Sequence, residues 1–373
     1  MVRVMDNLRT GLSYGDVLLV PQRSPVASRT DVDLSTRLTS NVELETPLVS
    51  AAMDTVTEAA LATELSRAGG FGVLHRFLTP DEQARQVEAV TAAGEQVGAA
   101  VGINEDYVAR STALVSAGVD ALVVDVAHGH LERALEAVDT LASELPDVDL
   151  IAGNVATPAG VADLAAAGAD CVKVGIGPGS HCTTRKVAGA GVPQLTAVDD
   201  CATAAAEQGV TICADGGIRT SGDAVKALMA GADTVMLGSL FAGTAEAPGA
   251  LIEIDGKQYK RSRGMATTAA AEDRDDKPED VSADEGVEAL TPYKGPVSTV
   301  AAEFTAGIRS GLSYCGGHTI QAARENAEFI RVAHSAQERE GFHTDHDWEG
   351  ISVDSTQTQI REAELESYAD STD

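Results

Sequence analysis

Short apolar runs rich in Val, Ile, Leu and Ala recur along the chain, each bounded by Gly, Asp or Asn. They fall at Pro47–Met53, Gly70–His75, Gly98–Ile103, Ala121–Asp125, Leu150–Val155, Cys171–Gly177, Thr211–Gly217 and Thr234–Ser239. Continuous runs of this length suit strands buried on both faces, as a parallel sheet requires. Between them lie Ala-rich stretches with helical spacing, among them Pro80–Ala93, Asp106–Ala117, Leu131–Leu145, Pro158–Ala167, Asp199–Gln208 and Ser221–Ala230. Thr79-Pro80 and Ser221-Gly222-Asp223 have the chemistry of helix starts, and the Ala-Gly pairs at 117–118, 167–168 and 230–231 that of helix ends. Eight strands alternating with helices predict an α/β fold, a (β/α)8 TIM barrel, with an open doubly wound sheet as the alternative.

Polar residues gather where the predicted strands stop: Asp54 and Thr55, His75, Asp125, Asn154, Gly177 to Cys182, Asp215 to Arg219, Gly238 and Ser239. Structural polar residues would not all choose one end of a barrel, and that end is where barrels carry chemistry. The clustering therefore predicts an enzyme. After the eighth run the pattern changes. Ala250–Arg263 predicts a hairpin turning at Asp255-Gly256, and Ala269–Gly286 is polar, acid-rich and aperiodic, which predicts a mobile flap at about 264–292. A last amphipathic helix is expected over roughly Thr319–Ala336. The tail from Gly341 holds nine acids against one Arg. Residues 1–340 are thus expected to form one barrel domain, and 341–373 a solvated or partner-contacting tail.

Charge alters the picture of partners. The 373-residue chain has 57 Asp plus Glu against 27 Lys plus Arg, a formal net charge of −30. Such a surface repels phosphate backbones and argues against a nucleic-acid partner. Only seven of the basic residues are Lys, and an acidic, Arg-preferring surface suggests hydration in concentrated salt, as in a halophile. No apolar run approaches the ~20 residues of a membrane-spanning helix, and Met1–Thr10 lacks the apolar stretch of a secretory signal, so a cytoplasmic location is expected. Five cysteines, at 171, 182, 201, 213 and 315, make neither a CxxC pair nor an even framework, which points to a reducing compartment.

The richest stretch is Gly175–Arg185 (GIGPGSHCTTR). Its alternating glycines let backbone approach backbone or ligand; successive amides can cradle an anion and carbonyls can face a cation. The spacing is not that of a dinucleotide fingerprint, and Pro178 interrupts it. Cys182 at the tip, followed by two hydroxyls and Arg185, is placed for thiolate chemistry, although a cysteine buried in a tight turn gives the same letters. The other four cysteines fall within strands or helices and are assigned to structure. Asp215-Gly-Gly-Ile-Arg219 and Gly238-Ser239 end strands seven and eight, a common barrel site for a phosphorylated ligand, or else a pair of tight turns. His128 and His130 after Asp125 could suggest a metal, but no matching ligand set follows downstream; Asp125 fits better as an acceptor for a ribose hydroxyl.

These residues also carry a resemblance. Gly11–Asp33 (GLSYGDVLLVPQRSPVASRTDVD), Ser50–Glu58 (SAAMDTVTE), Ile151–Pro158 (IAGNVATP), Val172–Arg185 (VKVGIGPGSHCTTR), Pro193–Val198 (PQLTAV), Ala214–Asp223 (ADGGIRTSGD) and Leu237–Pro248 (LGSLFAGTAEAP) resemble the inosine monophosphate dehydrogenase/guanosine monophosphate reductase family. Tyr293–Pro296 and Gly307–Gly316 continue the match, over roughly residues 8–340. The resemblance implies a (β/α)8 barrel, usually a homotetramer, acting on a purine nucleoside monophosphate. It makes Cys182 the nucleophile that attacks C2 of the purine. Gly177, Gly179 and Cys182 would give carbonyls to a monovalent cation, usually potassium. Ser180, Asp215, Gly217, Gly238 and Ser239 would hold ribose and phosphate, Met53 and Asn154 would line the purine, and Asp125 would meet the nicotinamide ribose.

Both family reactions pass through a covalent purine thioimidate. The dehydrogenase forms it by hydride transfer to NAD and hydrolyses it with water activated by an Arg-Tyr dyad on the flap. The reductase forms it by releasing ammonia from GMP and reduces it with NADPH. The chain departs from the dehydrogenase pattern in three ways. His75 is separated from Gly98 by little more than one helix, so the regulatory CBS modules usual there are absent, though some dehydrogenases also lack them. The flap is short and has no Arg-Tyr dipeptide; its nearest candidate is Asp273-Arg274-Asp275. Ser262 stands where the family often has a tyrosine. Glu285 resembles the reductase carboxylate that acts with Thr184 to move a proton onto departing ammonia, although many dehydrogenases also hold Glu there. Ser50–Met53 and Asp215–Arg219, by contrast, look dehydrogenase-like. The expectation is a GMP reductase using NADPH, with IMP dehydrogenase using NAD, and Arg274 as an unaccompanied base, as the alternative. A non-catalytic nucleotide-binding regulator is a third reading, motivated by the unusual flap.

Overall fold

A computed structural model describes residues 8–104, 106–264 and 287–340. The first compact unit runs to Ile330. Its eight parallel strands are β1 (Leu48–Ser50), β2 (Phe71–Leu74), β3 (Val97–Val101), β4 (Ala121–Asp125), β5 (Asp149–Val155), β6 (Cys171–Val174), β7 (Thr211–Asp215) and β8 (Thr234–Leu237). They close in chain order, β8 pairing β1 with Val235 opposite Leu48; six fall within the expected runs, and β3 and β5 start one residue before theirs, at Val97 and Asp149. The helices that follow them are α1 (Ala59–Arg67), α2 (Pro80–Ala92), α3 (Tyr107–Ser116), α4 (Glu132–Glu144), α5 (Pro158–Ala166), α6 (Gln194–Gln208), α7 (Ser221–Met229) and α8 (Val297–Tyr314). The fold is a (β/α)8 barrel.

The helix boundaries follow from local chemistry. Thr79 caps α2 by accepting the Glu82 amide while the Glu82 carboxylate returns to Thr79, and Pro80 sits where a missing N–H costs nothing. Thr220 and Asp223 make the same reciprocal cap on α7. α3, α5 and α7 are capped at their C-termini by Ala117, Ala167 and Ala230, each followed by a glycine at positive φ. α6 begins at Gln194, five residues before the expected start, because the apolar stripe reaches back through Leu195 and Val198 onto the sheet.

The barrel interior holds Val49, Phe71, Val73, Ala100, Val123, Ile151, Cys171, Cys213 and Met236, with Leu38, Val42 and Leu44 from the hairpin Thr36–Arg37/Glu43–Leu44. That hairpin plugs the end where the strands begin. Asp149, at the start of β5, accepts from Asn41 Nδ2 at 2.6 Å and from the Thr39 hydroxyl, and the Leu38 carbonyl accepts from Thr211 at the start of β7. The larger core lies between strands and helices. Burial of each Leu or Phe side chain contributes about 1.5–3 kcal/mol.

Beyond β8 the expected hairpin forms: β9 (Ile252–Ile254) pairs with β10 (Lys257–Arg263) across Asp255 (φ +51°) and Gly256 (φ +74°). A third strand, β11 (Glu288–Pro292), pairs antiparallel with β10. The flap residues 265–286, with Arg274 and Glu285, lie outside the described residues, as does the tail 341–373. The helix expected over Thr319–Ala336 is broken. α9 (Ile320–Asn326) stops before an extended Ala327, and Phe329–Arg331 is a strand. The second unit, from Arg331, contributes the helix His334–Glu340. Among the described residues no helix is long and apolar enough to cross a membrane.

Candidate active site

The strand ends converge on a cavity of about 350 Å3. Its wall includes Met53 after β1, Asp125 ending β4, Asn154 in β5, the loop from Gly175 to Cys182 with Thr184, Asp215 and Gly217 at β7, and Gly238 and Ser239 after β8. Every residue the resemblance assigns to the nucleotide, cofactor, cation or nucleophile is on this wall, with Thr184; Glu285 and Arg274 lie outside the described residues. His75 is not on it: the ring is buried, and its Nδ1 accepts the Phe77 amide at 3.2 Å. His130 Nε2 lies 2.7 Å from Asp163 on the neighbouring helix, and among the described residues no three His, Cys, Asp or Glu side chains converge as a metal site.

Backbone geometry builds the Cys182 loop. At Gly175 a Cβ would lie 2.0 Å from the Asp215 carbonyl, so only glycine lets the β6 and β7 loops touch. Gly177 (φ +77°) leaves its missing Cβ to the stem of Arg185, whose guanidinium donates to the Val192 carbonyl at 2.6 Å. The chain turns at Pro178-Gly179, the Cys182 amide donating to the Gly179 carbonyl at 3.1 Å. Cys182 is exposed, and its Sγ donates to Thr184 Oγ1 at 3.1 Å. The other four cysteines are buried, as expected; burial pushes Cys201 and Cys213 up to about 12 and raises Cys171 and Cys315 as well.

A charged group that the sequence reading passed over lies beneath this loop. Lys173, only 2% exposed in the middle of β6, places Nζ 2.6 Å from Asp125 Oδ1 and 2.9 Å from Asp215 Oδ2. Burial disfavours its charge, but the two carboxylates outweigh that and raise the ammonium above its ordinary 10.5. The letters VKV look like a strand, and the signal was the lysine itself, one of seven in the chain, in a run with no solvent face. Asn154 Nδ2 donates to Asp215 Oδ2 at 2.9 Å and to the Gly175 carbonyl at 2.8 Å. A register irregularity between Gly153 and Val155 takes Asn154 out of the strand ladder. Its Oδ1 is buried without a partner among the described residues. Gln194 Nε2 holds both loops, donating to the Val174 carbonyl at 2.7 Å and the Asp215 carbonyl at 3.1 Å.

The inserted sheet is tied to the same rim. Arg263 Nε donates to Asp54 Oδ2 at 2.8 Å and its amide to Thr55 Oγ1 at 3.2 Å. His181 Nε2 lies 3.0 Å from Ser262 Oγ, and the Val287 amide donates to the His181 carbonyl at 3.1 Å. An exposed thiol beside a hydroxyl, paired carboxylates fixed by a buried cation and a glycine-built loop equip the cavity for covalent chemistry on a hydroxyl-rich ligand.

Comparison with known proteins decides which. Residues 11–343 match the family described as "IMP dehydrogenase / GMP reductase domain". The chain belongs to that family. The inosine-5'-monophosphate dehydrogenase of Nitrosopumilus maritimus is 37% identical over 458 aligned residues, covering 87% of this chain and 96% of the relative. That of Borreliella burgdorferi is 37% identical over 387 residues, 88% and 95% of the two chains. The GMP reductase of Leishmania donovani is 36% identical over 481 residues, 91% and 98%. Members of the IMP dehydrogenase/GMP reductase family are oxidoreductases that act on purine nucleoside monophosphates with nicotinamide cofactors. The Borreliella alignment is little longer than the present chain, so compactness does not separate the two activities.

The cavity suits that chemistry. Asp125 and Asp215, both on the wall, each keep one carboxylate oxygen without a partner among the described residues. Gly177, Gly179 and Cys182, whose carbonyls the resemblance offers to a monovalent cation, all lie on this wall, and the Gly179 carbonyl accepts the Cys182 amide.

Proposed function

We propose that the chain is a GMP reductase, converting GMP and NADPH to IMP, ammonia and NADP through a thioimidate on Cys182. The observation that carries this reading is in the sequence after β10: residues 264–292 contain no Arg-Tyr dipeptide, and Arg274 is followed by Asp275. A missing general base typically slows a step by about 10²–10⁴-fold, so hydrolysis of a thioimidate would lose to hydride delivery.

In this reading Cys182 Sγ bonds to purine C2 as the bond from C2 to the amino nitrogen breaks. Thr184, 3.1 Å from the sulfur, is placed to relay the proton that ammonia carries away, with Glu285 as its partner. Asp215, Gly217, Ser180, Gly238 and Ser239 hold ribose and phosphate, while Met53 and Asn154 flank the base. NADPH, when bound, would supply a hydride to C2, and Asp125 would meet its ribose. Potassium, held by Gly177, Gly179 and Cys182, would fix the loop carbonyls. A homotetramer in the cytoplasm of a halophile accords with family habit and with the acidic surface.

A second reading has its own support. Ser50–Met53 and Asp215–Arg219 look dehydrogenase-like, and the Nitrosopumilus and Borreliella relatives bear that name. One assay in concentrated potassium salt separates the two. GMP-dependent consumption of NADPH with release of ammonia is expected; NADH formation from IMP, without NADPH consumption on GMP, would reject the reductase. Turnover of neither pair, with nucleotide binding intact, would mark a binding protein.

A further inference from the structure

His181 sits between two hydroxyls. Its Nδ1 lies 3.2 Å from Ser180 Oγ and its Nε2 3.0 Å from Ser262 Oγ. Ser262 is fully buried in β10 and lies 2.8 Å from Thr291 Oγ1 in β11. The His181 carbonyl accepts the Val287 amide at 3.1 Å, so side chain and backbone of one residue both bind the inserted sheet. Ser262 is also where this chain departs from the tyrosine frequent in its family. The small hydroxyl leaves room for an imidazole to reach across.

We propose that His181 is a positioning residue that turns the Ser180 hydroxyl into a donor for the phosphate of the bound nucleotide and anchors the Cys182 loop to Ser262 and Thr291. The inference rests on the proposed nucleotide reading of the cavity. Donor and acceptor counting carries it. A dianionic phosphate accepts only, so Ser180 must spend its proton on the ligand and accept from His181 Nδ1–H. Nε2 is then an acceptor and takes the Ser262 hydroxyl proton. Ser262 Oγ in turn accepts from Thr291. With Ser180 donating to the phosphate, only the Nδ1–H tautomer lets His181 bind both hydroxyls; the Ala289 carbonyl, 3.4 Å from Ser262 Oγ, is the longer alternative acceptor for the Ser262 proton.

The test is equilibrium binding of IMP and of inosine to wild type and variants, with thermal midpoints recorded alongside. His181→Phe removes both ring nitrogens and is expected to weaken IMP about tenfold, the scale of one hydrogen bond, while leaving inosine unchanged. His181→Asn keeps a donor near the Nδ1 position and should recover most of the loss. Ser262→Ala should weaken IMP a few-fold, and adding it to His181→Phe should cost nothing more, since both break one chain. Steady-state assays should show the loss in KM for the nucleotide and none in KM for the cofactor. Unchanged IMP affinity in His181→Phe, equal losses for IMP and inosine, or fully multiplicative effects with Ser262→Ala would each overturn the proposal. Failure of wild type to bind IMP at all would instead sink the nucleotide reading beneath it.

Discussion

The two ends of the barrel use carboxylates in opposite ways. At the closed end, Asp149 is saturated: Oδ1 accepts from Asn41 Nδ2, and Oδ2 from the Thr39 hydroxyl and, at 3.3 Å, from the Asn41 amide. It is 6% exposed and its bonding is complete within the protein. At the open end, Asp125 and Asp215 each commit one oxygen to Lys173 and have no protein partner for the other among the described residues. They are 27% and 21% exposed, against 2% for the lysine between them. A saturated buried acid locks a fold; a half-satisfied acid fixed by a buried cation is kept ready for a ligand.

Removing the cation should give the largest effect. Lys173→Met leaves two carboxylates aimed at one apolar spot, and breaking such a buried pair costs about 3–5 kcal/mol. Thermal midpoint and turnover should fall together, and affinity for both nucleotide and cofactor should weaken. The sign of the pH response should distinguish the variant. In wild type the folded state holds the Lys173 proton more tightly than the unfolded chain. Its contribution is therefore complete below pH 10.5 and lost only as pH rises beyond it. In the variant that contribution is absent at every pH, so the gap in midpoint between wild type and variant should narrow only as pH rises beyond 10.5. Melting curves of both proteins at pH 8 and 11 check this; a gap that does not narrow at pH 11 would show that Lys173 gains no proton affinity on folding.

The closed end should respond with stability alone. Asp149→Ala strands the buried Thr39 hydroxyl, Asn41 being exposed to water, and is expected to cost about 1–3 kcal/mol, the desolvation of a buried donor left unpaired. Because the lesion is at the other end of the strands from Cys182, kcat measured well below the new midpoint should match wild type. A matching fall in kcat would mean that the two ends are not separable.

The same contrast explains what could be read in advance. The eight strands were legible because continuous apolar runs such as Ala121–Asp125 admit few other fates, and the cavity wall was legible because polar residues followed every run. Lys173 was hidden by its neighbours: in a strand buried on both faces its orientation depends on barrel closure, a long-range fact that no local pattern carries. The His181–Ser262 contact joins residues 81 positions apart on a loop and an inserted strand. The stretch after Thr319 was misread because helical spacing of apolar residues persists past Ala327, where the backbone turns extended. Tertiary context overrode propensity there.

The smallest prediction concerns the closed thiols. Burial pushes Cys201 up to about 12 from its ordinary 9.0, so the folded state holds that proton more tightly than the unfolded chain. Its contribution to stability is whole below pH 9 and declines as pH rises above it. Burial shifts Lys226, Lys260 and Lys294 the other way, and their protons give the opposite slope below 10.5. The absolute alkaline slope of the wild type therefore decides nothing. The difference between wild type and Cys201→Ala does, because the lysines cancel in it. Between pH 9 and 10 the wild type should lose stability faster than the variant, by up to about 1.4 kcal/mol per pH unit for one proton. Over the same range iodoacetamide should modify Cys182 alone, and equal slopes would mean that the Cys201 thiol reaches solvent as readily as the one at the open end.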